Sequence, residues 1–306
     1  MKKILVLGSL NMDLVTKVKV TPKVGETIIG SGFSEIPGGK GANQAVAIGK
    51  LGGEVSMLGR VGNDNFGKSL IQALNESHVH SENVLMVDGA PTGTALIMVN
   101  DDGDNSIVVI PGANFELKPD AVTTQHFDEK DYLLAQLETP IETIEAAFSQ
   151  AKAAGLQTVL NPAPAQKLSK ELIANTDLLI PNETEFELLT GFSPETPEGL
   201  DAGTSLLFEQ GVKALIITLG KNGALYIGED GERIHVNGYS VKAIDTTAAG
   251  DSFIGGVLTA LSKGESMKSA MEFATKVGAV TVTKYGAQSS LPTFEEIEAF
   301  EGVKRS

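Results

Sequence analysis

Short apolar runs punctuate this chain, and most are continuous rather than alternating. Ile4–Gly8, Val55–Gly59, Tyr132–Leu137, Thr158–Asn161, Leu178–Ile180 and Ala214–Leu219 each read as a strand buried on both faces. Helical spacing fills the intervals, over Ala42–Leu51, Gly67–Glu76, Ile141–Ala154 and Thr184–Leu189. The alternation predicts an α/β fold with a central, mostly parallel sheet and helices on both faces. Two segments break it. Leu14–Ile36 carries a β-like pattern (Val15, Val18, Val20, then Thr27-Ile-Ile), and Thr94–Ile110 reads as a hairpin around Asp101-Asp-Gly-Asp104. They predict a small discontinuous β-sheet lid of residues 14–36 and 94–110. The α/β core then comprises residues 1–13, 37–93 and 111–306. A late hairpin, Leu225-Tyr-Ile and Arg233-Ile-His-Val around Asp230-Gly231, fits a sheet edge.

Charge and composition narrow the function. The net charge is −15, which repels polyphosphate backbones and argues against nucleic acid as partner. A site for a small phosphorylated ligand must therefore make positive potential locally, from helix termini, a few lysines or bound cations. The 306 residues include no cysteine, so disulfides, thiol catalysis and thiolate metal sites are excluded. That composition suits a reducing cytoplasm. Met1-Lys-Lys leads into a run too short for a signal peptide, with polar Ser9, Asn11 and Asp13 close behind. No apolar stretch approaches the roughly 20 residues of a membrane span, so no membrane is expected.

Ligands of open α/β sheets bind beyond the carboxyl ends of strands, and there the polar motifs cluster. Asp245-Thr-Thr-Ala-Ala-Gly-Asp-Ser-Phe253 sets small residues between two acids, before a helical pattern of Phe253, Val257, Leu258 and Leu261. Small residues let backbone N–H groups converge, and a helix N-terminus behind them attracts anions. A carboxylate beside such a cradle suits phosphoryl transfer to a hydroxyl. Pro37-Gly-Gly-Lys-Gly-Ala-Asn-Gln44 opens a helix with dense glycine, a cation in Lys40 and an amide in Asn43. In Gly8-Ser-Leu-Asn-Met-Asp13, Asn11 and Asp13 face one way along an extended segment and could hold adjacent sugar hydroxyls, or simply end the strand in a turn. Glu138 is either a ligand group or a first-turn helix charge. In Pro181-Asn-Glu-Thr-Glu185, Asn182 and Glu185 either hold a hydrated Mg²⁺ or cap a helix. Gly62-Asn-Asp-Asn-Phe-Gly-Lys-Ser69 fits the phosphate-loop spacing, but Asp64 would face the phosphates and Phe66 is bulky for so tight a loop. His78, His80, His126 and His235 have no metal-ligand spacing.

Together these motifs resemble the ribokinase family of ATP-dependent sugar kinases, in order and over essentially the whole chain. One family signature is matched from Gly38 to Gly62, including Asn43, Ala45 and Gly52, and a second from Asp245 to Val257. The resemblance implies a ribokinase-like fold with a β lid, and a homodimer formed through that lid. It implies phosphorylation of D-ribose at its 5-hydroxyl by ATP, with another sugar of the family, deoxyribose or a nucleoside, or a non-catalytic sugar sensor as alternatives. Asp251 corresponds to the catalytic base, and the backbone of Ala248, Ala249, Gly250 and Asp251 to the anion hole. Asn11, Asp13, Gly39, Lys40, Asn43 and Glu138 match sugar-contacting positions. Asn182, Thr218, Gly220, Lys221, Gly223 and Gly250 match ATP-contacting ones, and Thr275 stands where the family often has an asparagine near adenine. Glu185 matches an element linked to Mg²⁺. Asp245, Thr247, Thr281, Lys284, Gly286 and Ser290 match the site of a monovalent cation, normally K⁺.

Overall fold

Strand β1 (Lys3–Leu7) shows how the core is divided. Ile4 and Val6 pack into one apolar cluster, Leu5 and Leu7 into another, and all four are fully buried. A continuous apolar run therefore needs cover on both faces. The computed structural model describes residues 1–305. In them β1 is followed by β2 (Asn11–Lys17), β3 (Gly32–Gly38), α1 (Lys40–Lys50), β4 (Glu54–Gly62), α2 (Asn65–Glu76), β5 (Val79–Val87), β6 (Gly93–Val99) and β7 (Asn105–Ile110). Then come β8 (Tyr132–Ala135), α3 (Ile141–Ala153), β9 (Gln157–Leu160), α4 (Lys170–Ala174), β10 (Leu178–Leu179), α5 (Glu183–Thr190), α6 (Pro197–Glu209) and β11 (Ala214–Thr218). The chain closes with β12 (Ala224–Gly228), β13 (Arg233–Val236), α7 (Ala249–Ser262), α8 (Met267–Thr281) and α9 (Phe294–Glu298).

Nine strands form the main sheet in the order β13-β12-β11-β10-β9-β8-β1-β4-β5. Pairing is parallel from β5 to β11 and antiparallel at the β11-β12-β13 edge, as the late hairpin predicts. Side chains of α1, α2, α7 and α8 fill one face (Val46, Leu70, Val257, Met271), and those of α3 to α6 the other (Phe148, Leu172, Phe186, Leu207). Strand order reverses between β1 and β8, which makes a crevice at their carboxyl ends. The turns after these two strands hold Ser9–Leu10, leading directly into Asn11 and Asp13 of β2, and Gln136–Glu138.

Four strands make a second sheet in the order β3-β2-β6-β7. It reaches further than residues 14–36 and 94–110: β2 starts at Asn11, β3 ends at Gly38 and β6 starts at Gly93. Asn11 pairs with both Gly38 and Gly93, so the ladder continues down to the crevice. The expected strand over Thr27-Ile-Ile is absent. Residues 18–31 lie outside the ladder, and Ile29 is 94% exposed, with no apolar surface to cover it. The expected strand to Leu137 stops at Ala135, because Gln136 turns inward to a buried polar group described below. Strand β5 and helix α8 were not evident from the hydrophobic pattern.

Candidate active site

The first cluster forms where the two sheets meet. Gly39 bridges β3 and α1 with φ of 88°, a conformation that favours glycine, and a Cβ there would lie 2.8 Å from the Asn11 amide nitrogen. This close passage lets the Lys40 N–H donate to Glu138 Oε2 at 2.9 Å, while Ser9 Oγ donates to the same oxygen at 2.6 Å. Glu138 is thus a clamp between β1, β8 and α1 as well as a candidate ligand. Asp13 lies against Gly38, where any side chain would strike its carboxylate. Burial raises the Asp13 carboxyl to about 7, with further contributions from the charges of Glu138 and Asp251. Lys40 answers that negative charge. Burial disfavours its ammonium, but Asp251, Glu138 and Glu185 outweigh the penalty and raise its pKa.

Asp251 lies in the first turn of α7 and is 7% exposed. Its Oδ2 accepts from Asn43 Nδ2 at 3.0 Å and its Oδ1 from Gln44 Nε2 at 2.9 Å. The turn before it is unusual. Ala248 is left-handed, with φ of 59° and ψ of 10°, a costly conformation for a residue with a Cβ. Ala249 N donates to Thr246 O at 3.2 Å, and the first helical bond of α7 is Ser252 N to Ala248 O at 2.8 Å. The N–H groups of Gly250 and Asp251 take no acceptor among the described residues, and a Cβ on Gly250 would meet nothing within 4 Å. An open surface, unspent donors and a helix N-terminus form a place for an anion. Of the four expected N–H groups, that of Ala249 is already engaged.

The residue order, fold and geometry have close counterparts. The model of the pfkB family of carbohydrate kinases matches residues 1–294. The chain belongs to this family. A ribokinase of Schizosaccharomyces pombe is 42% identical over the full length of both chains, and one of Haemophilus influenzae is 41% identical over 98% of each. The structure of an Arabidopsis thaliana ribokinase complexed with ribose and ATP superposes with a TM-score of 0.92 at 31% identity, over 97% of each chain. The ribokinase-like fold, with its large mostly parallel sheet and smaller separate sheet, is therefore shared.

On the far side of the anion turn, the kinase has a cleft of about 380 Å³ lined by Thr218, Gly220, Lys221, Gly223, Phe253 and Thr275, among others. Six residues expected at nucleotide-contacting positions, Gly250 among them, thus share one cavity. Thr275 spends its hydroxyl on Met271 O at 2.6 Å, so its methyl group is left for contact. Arg305, unnoticed in the sequence, also borders this cleft. Asn182 lines a smaller adjoining pocket with Glu185, Lys40 and Ala248–Asp251. Asn182 and Glu185 form a reciprocal helix cap: Asn182 Oδ1 accepts from Glu185 N and Glu185 Oε2 from Asn182 N, both at 2.8 Å. The sequence left open whether this pair caps a helix or serves a metal. The cap is present, and it aims Glu185 at the pocket. Burial raises the Glu185 pKa, opposed by the Asn182 N–H and Lys40.

Among the described residues no cluster of three or more His, Cys, Asp or Glu could cage a metal. Mg²⁺ on a nucleotide needs no such cage, since it keeps waters and takes one or two carboxylates with phosphates. Glu185 fits that role. The monovalent-cation positions converge where residues 244–247 meet the loop after α8, through Ile244 N to Val282 O at 2.7 Å. Asp245 accepts from Thr247 N, Thr247 Oγ1 and Gly286 N. Burial opposes its ionisation, but the Thr247 hydroxyl and these N–H groups outweigh it and lower the pKa. Lys284 points its ammonium away, to Glu296 at 2.6 Å, and could contribute only backbone. The Thr281 and Ser290 hydroxyls donate to Val277 O and Ala287 O, which leaves their oxygens able to accept a cation.

The phosphate-loop spacing at Gly62–Ser69 has another use. Asp64 caps α2 through Gly67 N at 2.8 Å and also accepts from Thr92 N and Thr92 Oγ1, at 2.8 and 2.6 Å. Its carboxylate thus takes the Gly67 and Thr92 donors, which leaves them unavailable to a phosphate.

Proposed function

We propose that this kinase transfers the γ-phosphoryl group of ATP to the 5-hydroxyl of D-ribose, with Asp251 as base. The observation that carries this reading is a buried carboxylate beside unspent N–H groups at one helix N-terminus, between a polar pocket and a nucleotide-sized cleft. Asn11, Asp13, Lys40, Asn43 and Glu138 orient the sugar. Asn43 Oδ1 is buried without a partner among the described residues, so a sugar hydroxyl donating to it would satisfy it. Asp251 takes the 5-hydroxyl proton as that oxygen bonds to the γ-phosphorus and the bond to the β-bridging oxygen breaks. Ribose 5-phosphate and ADP leave, and Asp251 returns its proton to solvent. Charge on the transferring group is met by the N–H groups of Gly250 and Asp251 and by Lys40. Mg²⁺, near Glu185, would neutralise phosphate charge, and K⁺, between Asp245 and the 281–290 loop, would brace the anion turn.

We further propose a homodimer paired through the exposed second sheet, acting in a reducing cytoplasm. The test is ADP release over pentoses, hexoses and nucleosides, with and without K⁺. Ribose should give the highest kcat/KM. A higher value for deoxyribose would overturn the assignment, and sugar binding without ADP formation would identify a sensor. Asp251→Asn should retain sugar binding and lose about 10³-fold or more in kcat. Near-normal turnover would remove Asp251 as base.

A further inference from the structure

Behind Asp251 lies a chain of buried amides that sugar and nucleotide contacts do not explain. Asn161 Nδ2 donates to the backbone carbonyl of Ile180 at 3.1 Å. A carbonyl only accepts, so this bond fixes which way the Asn161 amide points. Asn161 Oδ1 must then face Gln44, and it accepts from Gln44 Nε2 at 3.1 Å. The same Nε2 donates to Asp251 Oδ1 at 2.9 Å, and Gln44 Oε1 accepts from Gln136 Nε2 at 2.6 Å. Gln44 and Gln136 are fully buried. One backbone carbonyl thus sets the polarity of three side chains, and Gln44 can present only N–H to the base.

We propose that Gln44 is a positioning residue that presents only N–H to one Asp251 oxygen and so confines the transferred proton to the side facing the sugar. This rests on Asp251 being the base. An amide donor favours the charged carboxylate. The lone pair of Gln44 Nε2 is delocalised into its amide and does not accept, so a proton taken from the sugar hydroxyl cannot pass inward along the amide chain. It rests on the sugar-facing side of Asp251 and returns outward once product departs. Other charges that act on Asp251 are Asp13, Lys40 and Glu185, from β2, α1 and α5. None is altered by a substitution at position 44.

The experiment is the pH profile of kcat with saturating ribose and ATP, for wild type, Gln44→Leu, Gln44→Glu and Gln136→Leu. For Gln44→Leu the acid limb should move up by roughly one pH unit, with ribose KM within about threefold of wild type. An ionised glutamate beside Asp251 should move the limb further. Gln136→Leu, which removes the donor to Gln44 Oε1 but leaves Asn161 holding the Gln44 amide in place, should move it less. Ribose calorimetry at pH 8 verifies that each variant is folded. A purely structural role lowers kcat equally at all pH values, so profiles that superimpose on wild type after scaling would overturn the proposal. Asp251→Asn measured alongside keeps the two ideas separate. If it retains turnover, the assignment of the base fails. If it is inactive while the position-44 limb stays fixed, only the role of Gln44 fails.

Discussion

Asp13 shows how much one residue can report. Its carboxyl titrates near 7 in the folded protein against 3.8 in the free side chain. Below pH 4 both states hold the proton and the folded state has no disadvantage. As pH rises from there through 7, the unfolded chain ionises first and the unliganded fold loses stability. Asp13→Asn should therefore resist urea better than wild type at pH 8, with the difference vanishing below pH 4. Sugar binding should run the other way, because an ionised carboxylate accepts from hydroxyls more strongly. Ribose affinity should rise from pH 6 to 8, by at most about tenfold per pH unit, and flatten in Asp13→Asn. A flat wild-type titration would show that Asp13 is already ionised in the free protein. The types and order of Asn11, Asp13, Lys40, Asn43 and Asp251 were readable from the sequence. Gln44, Gln136, Asn161 and Asn114 were not singled out, though three lie in turns or motifs that were. Their role depends on partners about a hundred residues away. Asn114 Nδ2, for example, donates to Asn11 Oδ1 at 2.7 Å across 103 positions, and no local spacing encodes that.

Among elements, legibility followed burial. β1, β8 and β11 are continuous apolar runs because helices cover both faces, and β4 is a mostly apolar one; each was apparent in the sequence. β5 lies at the sheet edge, with only Val79 and Val84 buried, so polar residues interrupt its pattern. Helix α8 was obscured differently. It packs on α7 through small residues, and a Cβ on Gly256 would lie 2.9 Å from the Ala274 Cα, so its contact face is weakly hydrophobic. The motif at Gly62–Ser69 was legible as a turn and helix start. Its further use, holding the start of β6, became apparent only with the fold. Asp64→Ala should remove both the α2 cap and the Thr92 anchor, lowering urea stability by about 2 kcal/mol. Lys68→Ala should leave turnover unchanged, whereas a phosphate loop would lose activity at that substitution.

For the molecule as a whole, the second sheet is the part least explained by one copy. Phe33, Leu96, Ile107, Val108 and Val109 are all well exposed on it, at 62%, 45%, 52%, 59% and 49%. The chain as a whole carries a net charge of −15, which disfavours non-specific association. A localised apolar sheet on such a surface marks an interaction face. Ile107→Lys combined with Val109→Lys should halve the mass seen by light scattering. An unchanged mass would remove that face from the interface. Among the described residues no helix is long and apolar enough to cross a membrane.

The chain passes between its two sheets at Ser9–Leu10 and at Gly38–Gly39, next to Asn11, Asp13 and Lys40. Two of the four crossing points therefore adjoin the residues proposed to face the sugar. A sugar that fails to engage them loses affinity and also leaves the sheets without a fixed mutual angle above Asp251. Discrimination should consequently appear in speed: a sugar lacking one hydroxyl should be turned over slowly even at saturation, and added concentration should not restore the rate.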